Sequence, residues 1–231
     1  MVGLWNDFIA LIYPRNCITC SNSLYKHEKF ICNHCYLTLP KSNFHAEQNS
    51  ELERVFAVRV PVVKAGSYYL FEKDGKVQKL LHHIKYKGNK ALAEQLGVWY
   101  AQSLKDCNEI EKADVIIPVP LHSKKQKQRG FNQSEEFAKG LAKEFNMVVD
   151  SKNLFRNQFT ETQTRKKKFE RWENVKDKFE LKNPEALKDK SIILVDDVIT
   201  TGATIDACYE ALKNVPGIKI SVLSLAYAKK E

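Results

Sequence analysis

The sequence predicts an α/β fold in which a largely parallel sheet is flanked by helices and follows a small N-terminal module with four cysteines. Short apolar runs rich in β-branched residues alternate with segments of helical periodicity, which is the pattern of a parallel sheet. Four cysteines near the N-terminus form two C-x2-C pairs. A polar, turn-rich stretch at residues 40–50 predicts a linker between the two parts. We therefore expect an N-terminal module over residues 1–50 and an α/β domain over residues 51–231.

The elements of the α/β domain follow from hydrophobic spacing. Clustered β-branched and aromatic residues predict strands at residues 58–63, 65–71, 115–120, 192–195 and 218–227. Apolar residues at helical spacing predict helices at residues 77–84, 91–104, 133–145 and 204–214. Asn132 is the predicted N-cap of the third helix, with Glu135 as its capping-box partner. Residues 152–182 are poor in apolar side chains and predict a long loop with one short helix.

The first 13 residues do not resemble a secretory signal. They have no basic n-region, and no small-residue cleavage site follows before the first cysteine pair. Leu4, Phe8, Leu11 and Ile12 have helical spacing and predict a short helix that packs on the protein's own core. No apolar run approaches the roughly 18–20 residues of a membrane span. We expect a cytoplasmic protein, with peripheral attachment at the inner face of the membrane as the alternative.

Positive charge is concentrated in two parts of the chain. The 37 Lys and Arg residues exceed the 28 Asp and Glu residues by nine. Residues 122–129 contribute +4 and residues 152–182 contribute +5, which together equal the whole net charge. Such an excess favours an anionic partner. The alternative is an ordinary solvated surface.

Cys17, Cys20, Cys32 and Cys35 form the pattern C-x2-C-x11-C-x2-C. Each two-residue gap lets both thiolates of a pair bind one ion, and two pairs complete a tetrahedron. This spacing predicts a structural zinc site, with an iron–sulfur centre or a redox pair as alternatives. Cys107 and Cys208 have no such partner, so we expect both to be buried packing residues.

One segment combines acidic and hydroxyl side chains at the predicted end of a strand. Asp196 and Asp197 follow the apolar run 192–195, and a loop then opens the next helix. In parallel sheets, ligands bind at the carboxyl ends of strands, and a helix N-terminus favours a phosphate. Two carboxylates can accept hydrogen bonds from a vicinal diol. The segment therefore predicts a sugar-phosphate site, whereas the alternative is a capped strand–loop–helix without a ligand. The residues expected to seat the phosphate are Thr200, Thr201, Gly202, Ala203 and Thr204.

The segment 192–204 resembles the phosphoribosyl-pyrophosphate (PRPP) signature of type I phosphoribosyltransferases, and the wider chain resembles the ComF family (ComFC-like). The second resemblance covers nearly the whole chain. Its motifs are Ile84-Lys-Tyr-Lys-Gly88, Ile117-Pro-Val-Pro-Leu-His122, Arg129-Gly-Phe-Asn-Gln133 and Arg171 to Asn174, together with the cysteine pairs.

The resemblance implies a role for each part. The two aspartates would hold the ribose hydroxyls, and residues 200–204 would hold the 5′-phosphate. Mg2+ would bind the pyrophosphate and ribose oxygens. The Pro118-Val-Pro120 turn would correspond to the pyrophosphate loop. Pro120, Leu121, His122 and Arg129 would also bind PRPP. A flexible anion-binding loop would contribute Arg156, Gln163, Arg165, Lys166, Lys167, Lys168 and Arg171.

The sequence leaves the acceptor and turnover open. Hypoxanthine–guanine transferases have an acid at the position of Thr200, and no other residue is an obvious general base. The first hypothesis is a PRPP-binding protein that acts in DNA uptake during natural transformation, together with other DNA-uptake proteins. The second is an active phosphoribosyltransferase that transfers to an unidentified base, nucleotide or amine. The third is a single-stranded DNA-binding adaptor with a vestigial PRPP site.

Overall fold

A computed structural model describes residues 14–157 and 178–229. The predicted N-terminal helix lies outside the described residues. Outside them too lie Gln163, Arg165, Lys166, Lys167, Lys168 and Arg171 of the predicted anion-binding loop.

A five-stranded parallel sheet forms the centre of the fold, with the strand order β1-β7-β6-β2-β3. β6 and β7 are inner strands. β7 is buried except at its first residue, and β6 is buried over Ile192 to Val195, as expected for a parallel sheet covered on both faces. β4 and β5 pair separately as a two-stranded antiparallel ribbon. The strands are β1 (Val62–Leu70), β2 (Val115–Pro118), β3 (Val148–Val149), β4 (Leu154–Asn157), β5 (Lys178–Leu181), β6 (Ser191–Ile199) and β7 (Lys219–Tyr227).

Helices cover both faces of the sheet and confirm the predicted α/β class. The two predicted helices before the second strand, and the predicted helix after Gly202, are all present. The α-helices are α1 (Asn33–Thr38), α2 (Glu51–Phe56), α3 (Lys76–Tyr86), α4 (Lys90–Ser103), α5 (Asn108–Glu111), α6 (Ser123–Arg129), α7 (Gln133–Phe145) and α8 (Ala203–Leu212). No helix among the described residues is long and apolar enough to cross a membrane.

Several local predictions were wrong. A single strand, β1, replaces the two predicted between residues 58 and 71, because residues 57–60 form a turn after α2. The described ends of the predicted 152–182 loop are β4 and β5. Asn132 does cap α7, but its side chain accepts from the Ser134 N–H, and Glu135 pairs with Lys139 at 3.3 Å instead of completing a capping box.

The four-cysteine module (residues 14–39) and the stretch after it pack directly on the α/β domain. Cys17, Cys35 and Leu39 belong to the same buried cluster as residues of α3 and α4. The stretch 40–50 was predicted as a linker, yet it buries Phe44 and pairs Lys41 with Tyr69 of β1. The predicted division at residue 50 therefore lies between two parts of the chain that share one hydrophobic core.

Candidate functional site

The acid pair, Asp196 and Asp197, lies at the carboxyl end of the sheet. β6 continues through both residues to Ile199 and is paired with β7 along its length. The register of β2 against β6 aligns Pro118 with Val195, and the Val119 N–H donates to the Val195 carbonyl at 2.8 Å. The chain after β2 therefore leaves the sheet beside the acid pair, as the sequence predicted for a ligand site.

The loop of residues 200–204 follows β6 and opens α8. It lines a cavity of about 170 Å3 together with Asp196 and β6 residues. Gly202, the N-cap of α8, has φ of 79°, a backbone conformation that favours glycine. A Cβ at this position would lie 2.7 Å from the Phe56 ring, so glycine is also required by space. Backbone N–H groups in the first turn of α8 have no carbonyl partner within the helix, which makes the cavity suitable for an anion.

Arg59, from the turn between α2 and β1, supports this loop from behind. Its Nη2 donates to the Thr201 carbonyl at 2.9 Å and to the Val55 carbonyl at 2.7 Å. Its Nη1 forms an ion pair with Asp206 in the first turn of α8. The sequence pattern did not single out Arg59, because Thr201 and Asp206 lie more than 140 residues away in the chain.

A hydrogen-bond chain joins the loop after β2 to Asp196. Asn132 Nδ2 donates to the Val119 carbonyl at 2.9 Å, and Asn132 Oδ1 accepts from the Ser134 N–H at 3.1 Å. Ser134 Oγ then donates to Asp196 Oδ1 at 3.2 Å. Both Asn132 and Ser134 are buried. The start of α7 thus fixes the acid pair, a role that sequence reasoning missed for Ser134.

Asp196 has a perturbed carboxyl group. Burial and the neighbouring charge of Asp197 raise its pKa to about 7, although hydrogen bonds from the Asp197 N–H and from Ser134, and the charge of Lys85, oppose the shift. Adjacent carboxylates in a partly buried position repel each other, so one of them resists ionisation. Perturbed acids of this kind cluster at functional sites.

Lys85 of α3 neutralises the other member of the pair. Its Nζ lies 2.9 Å from Asp197 Oδ2, and both side chains are only about one-fifth exposed. Lys85 belongs to the Ile84-Lys-Tyr-Lys-Gly88 motif, but no role was predicted for it from the sequence.

The predicted pyrophosphate turn, Pro118 to Pro120, lies beside the acid pair, and the predicted PRPP-binding residues Leu121 and His122 lead from it into α6. His122 caps α6, with its Nδ1 accepting from the Lys124 N–H at 3.2 Å. Arg129 donates to Gln133 Oε1 at 2.7 Å, and its guanidinium lies 5.8 Å from the centre of the Tyr86 ring. None of these loop residues lines the 170 Å3 cavity. The lysines of the first basic window, Lys124, Lys125 and Lys127, are exposed on α6, a helix that the sequence did not predict.

Arg156 is the only residue of the predicted anion-binding loop within the described part of the chain. It lies in β4, and its guanidinium is 5.6 Å from the centre of the Phe179 ring in β5. It does not line the 170 Å3 cavity. The structure thus brings Asp196 and residues 200–204 together around the cavity, whereas Arg156 stacks within the antiparallel ribbon.

The four cysteines form a candidate metal centre. The sulfur atoms of Cys17, Cys20, Cys32 and Cys35 all lie within 4.8 Å of one another. A tetrahedron with Zn–S bonds of about 2.3 Å has S–S edges of about 3.8 Å, and Cys20 Sγ lies 3.7 Å from Cys32 Sγ. Burial raises the pKa of Cys17, but hydrogen bonds from Thr19 and from backbone N–H groups outweigh it and lower that pKa to about 6. The donor set fits a metal that prefers thiolates. Cys107 and Cys208 are buried and free, as predicted.

Comparison with known proteins shows what the two parts of the chain are similar to. Residues 130–231 match the family described as phosphoribosyl transferase domain. This match begins at Gly130 and includes the acid pair, the 200–204 loop and α7, but not the cysteines or Lys85.

Three curated relatives extend the similarity. The chain spans about half the length of DNA utilization protein YhgH of Salmonella typhimurium, with 31% identity over 129 residues that cover 54% of this chain and 56% of that protein. It is 24% identical to competence protein F of Haemophilus influenzae over 92% of this chain and 96% of that protein. It is 27% identical to competence protein ComFC of Bacillus subtilis over 82% of this chain and 74% of that protein. The chain is therefore similar to competence protein F and ComFC over most of its length. Its C-terminal part is similar to a phosphoribosyl transferase domain, and the four-cysteine module precedes that part.

Proposed function

We propose that this chain is a PRPP-binding protein of phosphoribosyltransferase type that acts in DNA uptake or use in the cytoplasm. The observation that carries the proposal is the arrangement at the end of β6. Asp196 and the 200–204 loop line one cavity at this edge of the sheet, and Asp197 follows Asp196 directly in β6. The N-terminus of α8 lies behind the loop. A diol acceptor beside an anion seat matches a ribose 5-phosphate in both chemistry and order.

Each part then has a task toward PRPP. Asp196 and Asp197 accept hydrogen bonds from the ribose hydroxyls, and the N–H groups and hydroxyls of residues 200–204 hold the 5′-phosphate. Pro120, Leu121 and His122 face the pyrophosphate. Arg129 and the lysines of α6 supply positive charge near it. Mg2+, bound with PRPP, neutralises pyrophosphate and ribose oxygens, since this hard cation prefers oxygen ligands.

The four-cysteine module is proposed to hold zinc in a structural role. Four thiolates fill a tetrahedral coordination sphere and leave no open position for a substrate. We assign the module to residues 1–50 and the PRPP-binding domain to residues 51–231, although the two share buried contacts.

The DNA-related part of the proposal is supported by the relatives' names, which refer to DNA utilization and competence. Transfer to a base, nucleotide or amine stays an open second activity, because no described residue at the site is an evident general base toward an acceptor. Direct binding of single-stranded DNA would involve the exposed lysines of α6 and the basic residues 165–171.

Isothermal titration with PRPP and Mg2+ tests the proposal. Wild-type protein should bind PRPP, and the double variant Asp196→Asn with Asp197→Asn should bind at least about tenfold more weakly, because the diol loses both charged acceptors. The matched control is Glu185→Gln with Glu210→Gln, which removes two exposed carboxylates outside the site and should not change the affinity.

Equal binding by wild type and the double aspartate variant would refute the proposed site. Release of pyrophosphate in the presence of any acceptor would establish turnover. Salt-sensitive binding of single-stranded DNA that survives the aspartate changes, yet is lost with Lys166→Glu, Lys167→Glu and Lys168→Glu, would favour the adaptor hypothesis instead.

A further inference from the structure

Lys85 is the cation that meets the acid pair. Its Nζ lies 2.9 Å from Asp197 Oδ2, and the two side chains are 20% and 19% exposed. An ion pair that is largely shielded from water is stronger than one on the surface, and it holds both groups in one geometry. The orientation of the Asp197 carboxylate is therefore tied to the position of Lys85.

The charge of Lys85 also acts on Asp196. Burial and Asp197 raise the pKa of Asp196, whereas Lys85 lowers it. Among the described residues, the buried Cys208 thiol of α8 also faces Asp196. Burial and the charge of Asp196 raise the pKa of this thiol, and the charge of Arg156 in β4 only partly opposes the rise. Because the thiol stays neutral at physiological pH, Lys85 provides the main positive charge that offsets the two carboxylates.

The helix that carries Lys85 is fastened to the four-cysteine module at its other end. Lys79 Nζ donates to the Thr19 carbonyl at 2.9 Å, and Lys76 Nζ donates to Thr38 Oγ1 at 3.0 Å. The inward-facing residues of α3, Val77, Leu80, Leu81 and Ile84, share one buried cluster with Cys17, Ile31, Cys35 and Leu39.

Thr19 connects this fastening to the metal ligands themselves. It lies between Cys17 and Cys20, is 1% exposed, and places its Oγ1 3.2 Å from Cys17 Sγ. A continuous series of contacts thus runs from the first cysteine pair through Thr19 and α3 to Lys85 and Asp197. α3 is a single helix of 11 residues, short enough to move as one rigid element.

We propose that Lys85 is a positioning residue that orients Asp197 for the diol of PRPP, and that the four-cysteine module, by anchoring α3, sets the place of Lys85. This inference rests on the proposed function and gives the module a task at the PRPP site. Loss of the metal would loosen the first turns of α3 and thereby weaken PRPP binding without touching a PRPP contact.

The first test replaces Lys85 and measures PRPP affinity by titration calorimetry between pH 6 and pH 9. Lys85→Met should bind PRPP about tenfold more weakly at pH 7, and its affinity should recover at higher pH. The reason is that loss of the Lys85 charge raises the pKa of Asp196, so Asp196 ionises only at higher pH. Lys85→Arg should retain wild-type affinity. Lys112→Met removes the same charge at the opposite end of β2 and should leave both affinity and pH profile unchanged.

The outcomes separate the two claims. No PRPP binding by wild type defeats the proposed function and this inference with it. If wild type binds PRPP and Lys85→Met binds it with the same affinity and pH profile, this inference is refuted and the proposed function is not. A merely structural role of Lys85 would lower affinity equally at every pH, and this result would also overturn it.

The second test examines the link to the module by hydrogen exchange. Removal of the metal with a zinc-selective chelator in excess Mg2+ should increase exchange in residues 76–86, leave β6 and β7 protected, and lower PRPP affinity about tenfold. If β6 and β7 lose protection as well, chelation has affected the whole fold, and the double variant Lys76→Met with Lys79→Met is used in its place. This variant removes the hydrogen bonds from α3 to Thr38 and Thr19 and leaves the cysteines unchanged. Unchanged exchange in α3, or unchanged affinity despite faster exchange, would overturn the link.

Discussion

The four-cysteine centre and the acid-pair site are built in opposite ways. The cysteine centre takes all four candidate ligands from residues 17–35, and a turn at residues 18–20 and the start of α1 bring them together. The acid-pair site takes its two carboxylates from β6, but the groups that fix them come from α3 and α7. The adjoining 200–204 loop is held by Arg59 from the turn between α2 and β1. A centre made from one short segment depends on the bound metal ion for stability. A site at the end of a sheet is stabilised by the fold, although its neighbouring charges are destabilising.

The largest expected effect is loss of the metal ligands. Cys35→Ser should abolish stoichiometric metal binding and destabilise the protein by several kcal/mol, because the centre loses a buried ligand. Cys107→Ser is the matched control, since Cys107 is also buried but lies outside the cluster, and it should cost about 1 kcal/mol. Metal analysis and chemical denaturation measure both effects. Equal losses in the two variants would contradict a metal-dependent module.

A smaller effect is expected in the loop that seats the phosphate. Gly202→Ala combines the strain of positive φ with a contact against Phe56, so it should cost about 2–3 kcal/mol and weaken PRPP binding at least tenfold. Gly88→Ala has similar φ strain and open space around the Cβ, so it should cost only about 1 kcal/mol. Denaturation and calorimetry compare them. Similar results for both variants would show that Phe56 does not confine the loop.

These two comparisons also show what the sequence could predict. The metal centre and the 200–204 loop follow from spacing within one segment, and the alternation of apolar runs predicted the sheet and its main helices. The partners of the acid pair could not be found in this way. Lys85, Ser134 and Arg59 lie about 60 to 140 residues from their partners, and only the strand order β1-β7-β6-β2 brings them together.

Local errors had a similar physical origin. Phe44 lies in a polar stretch that reads as a linker, but its ring packs edge-on against Tyr227 of β7. The basic run 123–129 was not predicted as a helix, but His122 caps it and Gly130, with φ of 76°, ends it as one. Burial of Phe44 determines the structure of the first segment, and the capping residues determine that of the second. Hydrophobic periodicity reports neither effect.

The smallest effect concerns the charge of Asp196. Its pKa is about 7 in the folded protein and about 4 in an unfolded chain, so the folded state binds more protons between these values. This group therefore makes the free energy of unfolding fall as pH rises from about 4 to 7. Asp196→Asn should remove that dependence and be more stable than wild type by about 1–2 kcal/mol at pH 8, with a smaller difference at pH 5. Urea denaturation at the two pH values measures it, and a variant less stable at pH 8 than wild type would contradict the account.

The central claim is that the end of β6 binds PRPP, and a crystal structure with PRPP and Mg2+ tests it most directly. The account predicts the ribose hydroxyls on Asp196 and Asp197, the 5′-phosphate on the N–H groups of residues 200–204, and the pyrophosphate beside residues 120–122. Lys85 should still contact Asp197. PRPP bound at any other place, or with its phosphate away from the 200–204 loop, would contradict the claim.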